Sequence, residues 1–304
     1  MRIATSVSAA IGDTPLIDLS FLCDGDVTLL GKYEAANPGG SVKDRVARAM
    51  VDAAENDGTL EEGGTIVEPT SGNTGVGLAM VAAERGYGMV LVMPETMSVE
   101  RRKLAAAYGA RIELTPGATG MAGAVERAEQ IVAETPGAVM MGQFSNPENP
   151  LAHYRTTGPE IWRDTDGAVD ALVAGVGTGG TVSGTGRFLK EMKPSAQVFA
   201  VEPAESPVLE GGQAGPHKIQ GIGANFVPDN YDAEVVDEVL AVTGDDAIAM
   251  KDRLAEQLGL LVGISAGAAV SAAVELANRE DMEGAVIVAV LPDTGERYLS
   301  LIEA

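Results

Sequence analysis

Short apolar runs separated by longer amphipathic stretches set the strongest limit on how this chain can fold. The runs fall at 66–67, 89–93, 111–114, 139–141, 171–176, 198–201 and 285–291. Helical periodicity fills the gaps at 41–55, 75–84, 99–108, 120–134, 150–162, 180–192, 245–258 and 266–276. A strand that is apolar throughout has to be covered on both faces, and consecutive parallel strands need a crossover of a dozen or more residues. The alternation therefore predicts an α/β protein: doubly wound, three-layer α/β/α, with mostly parallel sheets. Asn73-Thr74 and Ser98 stand where helices would start, and Gly109 and Gly259 where they would stop. A chain of 304 residues suits two such domains on a scale of ~100–200 residues each. The segment 143–150, QFSNPENP, with its two prolines, is the expected crossing between them.

Composition narrows the class of partner. Asp and Glu number 44 against 21 Lys and Arg, for a formal net charge of −23. Phosphate-backbone binding needs a basic face, so nucleic acid is not expected as a partner, and neither is an anionic membrane. No apolar run reaches the ~18–20 residues of a membrane span, and no signal peptide is evident at the N-terminus. A cytoplasmic protein is expected. The single cysteine, Cys23, forms no internal disulfide and builds no Cys-rich site, so no metal is expected. The acids are scattered rather than gathered in a tail, Lys is scarce beside Arg, and Ala is abundant. That texture matches surfaces adapted to molar salt, where a Debye length of ~3 Å screens self-repulsion.

Three glycine-rich turns carry the chemistry. In the first, Asn37-Pro38-Gly39-Gly40-Ser41-Val42-Lys43, a turn and the cap-type Ser41 place Lys43 in the first turn of a helix. The positive end of the macrodipole disfavours an ammonium there and favours a neutral, nucleophilic amine. The second, Pro69-Thr70-Ser71-Gly72-Asn73-Thr74-Gly75, lies between a strand and a helix. Its backbone N–H groups, hydroxyls and amide suit a carboxylate. The third, Gly175-Val176-Gly177-Thr178-Gly179-Gly180-Thr181, also opens a helix and makes a second anion cradle. Read literally, Gly175, Gly177 and Gly180 spell a dinucleotide fingerprint, with Glu202 placed as a ribose-binding acid, so an NAD-dependent oxidoreductase is a rival reading. A dehydrogenase has no use for the lysine. A pyridoxal phosphate enzyme uses all three elements: a Schiff-base lysine, a phosphate cradle and a carboxylate clamp.

These motifs resemble the cysteine synthase (O-acetylserine sulfhydrylase) family, among the fold type II pyridoxal phosphate enzymes with a tryptophan synthase β-like fold. The resemblance runs from Ile11-Gly12-Asp13-Thr14-Pro15-Leu16 to Gly295-Glu296-Arg297-Tyr298-Leu299-Ser300. Between these lie NPGGSVKDR (37–45), EPTSGNTG (68–75), QFSNPENP (143–150), TTGPEIW (156–162), GVGTGGTVSGTGR (175–187), HKIQGIGA (217–224) and GISAGAA (263–269). The resemblance implies that Lys43 links to pyridoxal 5'-phosphate and acts as the catalytic base. It implies that Asn73 binds the ring hydroxyl, that Gly177, Thr178, Gly179, Gly180 and Thr181 hold the phosphate, and that Ser265 faces the pyridine nitrogen. Thr70, Ser71, Gly72, Thr74 and Gln143 would bind the substrate carboxylate. The implied reaction is β-replacement, O-acetyl-L-serine plus sulfide giving L-cysteine and acetate through an aminoacrylate. It further implies a smaller mobile domain over 40–145, a larger one made of 1–39 plus 146–304, a homodimer, and serine acetyltransferase as a further partner.

The sequence departs from the family's pattern at two places, and the first keeps related activities open. The family's Gly-Ile-Gly-Ala-Gly-Phe reads Gly221-Ile222-Gly223-Ala224-Asn225-Phe226, and Ala266 replaces a serine common after Ser265. The first lies where cystathionine β-synthases and O-phosphoserine sulfhydrylases vary. Both remain alternatives at this point, as does a catalytically inactive relative that serves as a binding subunit. His153 and His217 are isolated in sequence and read as polar surface or structural residues, and Cys23 as a small half-buried one.

Overall fold

The computed structural model describes residues 3–97 and 99–301; Ser98, expected as a helix start, lies outside them. The chain divides into two compact units, Met1–Ile11 with Asn37–Glu148, and Gly12–Ala36 with Asn149–Ala304.

The first unit holds a four-stranded sheet with the order β5-β4-β3-β6. Its strands are β3 (Thr65–Pro69), β4 (Gly88–Pro94), β5 (Arg111–Thr115) and β6 (Ala138–Met140), all parallel. Alternate side chains face opposite layers. Ile66, Leu91 and Met93 join Val46, Met50 and Leu78 from helices α1 (Lys43–Asn56) and α2 (Asn73–Arg85). Val67, Val90 and Val92 instead meet Ala124, Ala128 and Ile131 of α4 (Gly120–Glu134). Helix α3 (Val99–Ala107) follows β4. The N-terminal segment joins this unit by its bonds: the Ser8 backbone N–H and hydroxyl donate to the Glu84 carboxylate, and Arg48 donates to the Ser8 carbonyl.

The second unit holds a six-stranded sheet with the order β1-β2-β10-β7-β8-β9. These are β1 (Leu16–Asp18), β2 (Thr28–Tyr33), β7 (Ala171–Gly175), β8 (Gln197–Pro203), β9 (Glu238–Val242) and β10 (Val286–Leu291). Only β1 runs antiparallel to its neighbour. One face, with Val173, Phe199, Val201, Ile287 and Ala289, is covered by α8 (Gly244–Leu258) and α9 (Ile264–Ala277). The other, with Leu172, Ala174, Val198, Ala200 and Val288, is covered by α6 (Thr157–Asp164) and α7 (Gly180–Met192). Both units are three-layer α/β/α, as the alternation predicts.

Two expectations need correction. The single helix expected over 150–162 is two helices, α5 (Glu148–Arg155) and α6, broken at Thr156. Thr156 leaves the helical region (φ −130°, ψ −64°), and its hydroxyl bonds back to the Ala152 carbonyl. The stronger cause is Pro159, which has no N–H for the Arg155 carbonyl and whose ring clashes with it, so one continuous helix cannot pass this point. Three strands, β1, β2 and β9, lie in stretches that gave no strand signal: β1 is three residues long, and polar residues interrupt β2. In β2 one of these is Lys32, fully buried and paired with Glu160 at 3.0 Å.

Candidate active site

Lys43 is the first residue of α1 and is half-buried. The residue flanking the helix is Val42, not Ser41. Ser41 acts from one position earlier, its hydroxyl accepting from the Lys43 N–H at 3.2 Å. The preceding turn is closed by Asp44, whose carboxylate accepts from the Gly39 N–H at 2.6 Å. A Cβ at Gly39 would fall on that carboxylate, so only glycine fits. The turn and its Asp44 closure thus lead directly into the lysine at the positive end of a helix of 14 residues.

The hydroxyl-rich loop links β3 to α2, and α2 begins at Asn73 with Gly72 as its flanking residue. The buried Thr70 accepts from the Gly72 N–H at 3.1 Å, which leaves its own proton for another acceptor. Thr74 is buried and donates to Gln143 Oε1 at 2.5 Å. Two residues 69 positions apart in sequence, both predicted to bind a carboxylate, are therefore joined. Ser71 and Asn73 are half-buried on the same loop.

Sequence reasoning gave no role to Glu68, which sits beneath this loop. It is 1% exposed, and its carboxylate accepts from the Gly142 N–H at 2.9 Å and the Gln143 N–H at 3.2 Å. Burial pushes its pKa up to about 7, against the opposing pull of the backbone N–H groups of Gln143, Gly142 and Met141. Its burial is known only from the structure, so the sequence carried no signal for it.

The third turn opens α7 in the second unit. Gly179 is the residue before the helix and is left-handed at φ +84°. A Cβ there would lie 2.6 Å from the Tyr231 backbone nitrogen, and one at Gly177 would strike the Gly221 carbonyl. The glycines thus leave bare peptide at a helix N-terminus, where unpaired N–H groups and the dipole favour an anion. Thr178 is buried, with Asn149 Nδ2 donating to its hydroxyl at 2.8 Å. Thr181 lies 3.2 Å from His153 Nε2. Ser265 is buried in the first turn of α9.

Other residues separate from this chemistry. Glu202 is occupied by the N–H groups of Leu209 (2.8 Å) and Glu210 (3.3 Å), so the would-be ribose acid instead caps a turn. The half-buried His217 bonds the Gly223 carbonyl at 2.9 Å; His153, by contrast, is fully buried against Thr181 of the third turn. Cys23 is half-buried, and burial raises its thiol pKa, which suits no nucleophile. Asn225 has φ +66°, a conformation that glycine and asparagine tolerate best, and Ser206 donates to its side chain at 2.8 Å. The departure from the glycine of the resembled family therefore keeps the left-handed backbone.

The residues fit a pyridoxal phosphate. A lysine at a helix start can carry its aldehyde. A bare-peptide cradle with two hydroxyls matches its phosphate, and a buried neutral hydroxyl suits a ring nitrogen. Among the described residues no helix is long and apolar enough to cross a membrane.

Comparison with known proteins agrees. The family described as pyridoxal-phosphate dependent enzyme matches residues 7–293. Cysteine synthase A of Escherichia coli (strain K12) is 52% identical over 302 residues, covering 96% of this chain and 93% of that protein. Cysteine synthase of Staphylococcus aureus is 49% identical over 297 residues, covering 97% and 95%. The crystal structure of cysteine synthase from Entamoeba histolytica superposes with a TM-score of 0.96 at 44% identity, covering 100% of this chain and 92% of that one. On the family match over nearly its whole length and identities near one half, the chain belongs to the pyridoxal-phosphate dependent enzymes.

Proposed function

We propose that the protein is a cysteine synthase, replacing the β-acetoxy group of O-acetyl-L-serine with sulfide to give L-cysteine and acetate. Identity near one half to cysteine synthases along nearly the full chain supports this substrate pair. The single structural observation that carries the reading is the Thr74–Gln143 bond, which ties two segments of an amino-acid carboxylate clamp together.

Pyridoxal phosphate, when bound, supplies an electron sink for charge developing at the substrate α-carbon. Lys43 would hold it, and the same amine would take the substrate α-proton as general base. Thr70, Ser71, Gly72, Thr74 and Gln143 bind the substrate carboxylate, and Asn73 the ring hydroxyl. Gly177 to Thr181 hold the phosphate. Ser265 meets the ring nitrogen with a neutral hydroxyl, which does not force that nitrogen to stay protonated. The electron sink is thereby weakened, which favours elimination over transamination. The smaller domain over 40–145 closes on the carboxylate and excludes water. At a coarser scale, the reading is of a cytoplasmic homodimer with a salt-adapted surface and serine acetyltransferase as a further partner.

A matrix of donors and acceptors tests the substrate pair. O-acetylserine, O-phosphoserine and serine are each assayed with sulfide and with homocysteine. Cysteine formation from O-acetylserine and sulfide should exceed every other combination. A preference for homocysteine or for O-phosphoserine would replace this reading with cystathionine synthesis or O-phosphoserine sulfhydrylation.

A further inference from the structure

Two buried residues of α5 reach the two threonines of the third turn. Asn149 and His153 are four positions apart, so they share one face of that helix. Both are fully buried. Asn149 Nδ2 meets Thr178 Oγ1 at 2.8 Å, and His153 Nε2 meets Thr181 Oγ1 at 3.2 Å. The other ring nitrogen of His153 lies 2.9 Å from Thr157 Oγ1. Facing this pair on α7 are Gly180 and Gly184, also four apart. A Cβ at Gly180 would overlap the Asn149 side chain, and one at Gly184 the Pro150 carbonyl.

A hydroxyl has one proton and two lone pairs. The Asn149 amide nitrogen only donates, so Thr178 accepts from it and its single proton points elsewhere. For His153 the direction follows from Thr157. That hydroxyl is fully buried, and among the described residues its only hydrogen-bond partner is His153 Nδ1. If Nδ1 carried the proton, the Thr157 proton would be buried without an acceptor, which is unfavourable. With Nδ1 bare, Thr157 donates to it, and the ring proton sits on Nε2 and is given to Thr181. Thr181 then accepts, like Thr178, and its own proton is also left for a further acceptor.

We propose that Asn149 and His153, the latter neutral with its proton on Nε2, are positioning residues that turn the Thr178 and Thr181 hydroxyls into donors toward the cofactor phosphate. This rests on the reading of 177–181 as the phosphate cradle. Neither residue touches the phosphate; each acts by occupying an acceptor site on a hydroxyl that does.

Nitrogen-15 spectroscopy of the full chain with pyridoxal phosphate bound tests the tautomer directly, since His153 and His217 are the only histidines. A proton on Nε2 and a bare Nδ1 at His153 are expected. A proton on Nδ1, or an imidazolium, overturns the assignment. The second test compares binding of pyridoxal phosphate with binding of pyridoxal, which lacks the phosphate, by the cofactor-free full chain. Asn149→Asp and His153→Asn should each lower the preference for the phosphorylated form by about tenfold to a hundredfold, with pyridoxal binding unchanged. His153→Gln, which restores a donor near the Nε2 position, should recover most of it. If Thr178→Val and Thr181→Val lower the preference while Asn149→Asp and His153→Asn do not, the proposal is wrong and the cradle stands. If the threonine variants also leave it unchanged, the cradle reading itself is wrong.

Discussion

At the scale of single residues, Glu68 does more than its position in a strand suggests. It gathers the N–H groups at the end of β6 and so holds Gln143 where Thr74 meets it. Its pKa, about 7, lies above the ordinary carboxylate value of 4.5. The folded protein therefore binds this proton more tightly than the unfolded chain. The resulting contribution to stability is fully present below pH 4.5 and is lost as pH rises through about 7. Glu68→Gln removes the titration and places an amide donor against a backbone donor. We expect it to flatten the loss of stability between pH 5 and 8 by roughly 1–3 kcal/mol, and to raise the KM for the amino acid several-fold with a smaller change in kcat. Unfolding midpoints at the two pH values and steady-state kinetics check this; an unchanged pH slope would contradict it. The turns that carry Lys43, Thr70 and Gly177 were legible in the sequence because glycines and hydroxyl residues mark them at the starts of helices. Glu68, Asn149 and His153 were not, because their roles depend on partners brought close only by folding.

At the scale of elements, glycines decide how closely helices approach. Gly184 meets the Pro150 carbonyl where a methyl would sit, and that carbonyl is backbone, which cannot swing aside. Gly184→Ala should therefore push α5 from α7 and destabilise the protein by about 1–3 kcal/mol, read as a lower thermal midpoint. It should also weaken retention of pyridoxal phosphate, because Asn149 and His153 move with α5. A midpoint equal to that of the parent protein would show that the helices have room. The strands of both sheet centres were legible as apolar runs. Strand β2 escaped because Lys32 interrupts it, and only the structure supplies its partners, the buried Glu160 and the exposed Asp164. The break at Thr156 had a signal in Gly158-Pro159, because a proline inside a helical pattern ends or kinks the helix before it.

At the scale of the whole molecule, the net charge of −23 belongs to the surface and its solvent. Its ligands are anionic, and local N–H dipoles and hydroxyls decide their binding at contact distance. Surface ion pairs such as Arg85–Asp52 and Arg279–Glu238 leave many acids uncompensated. Added KCl should therefore raise the thermal midpoint as it screens self-repulsion, with a smaller effect on kcat. A midpoint that falls steadily with KCl would contradict the salt-adapted reading.

The central claim is that Lys43, and not another of the seven lysines, carries the cofactor. Borohydride treatment of the yellow holoenzyme, followed by proteolysis and mass spectrometry, tests it most directly. A pyridoxyl group on the peptide containing Lys43, absent from Lys43→Ala, is the predicted result. A pyridoxyl group on Lys32, Lys251 or any other lysine, or none at all, would contradict the account.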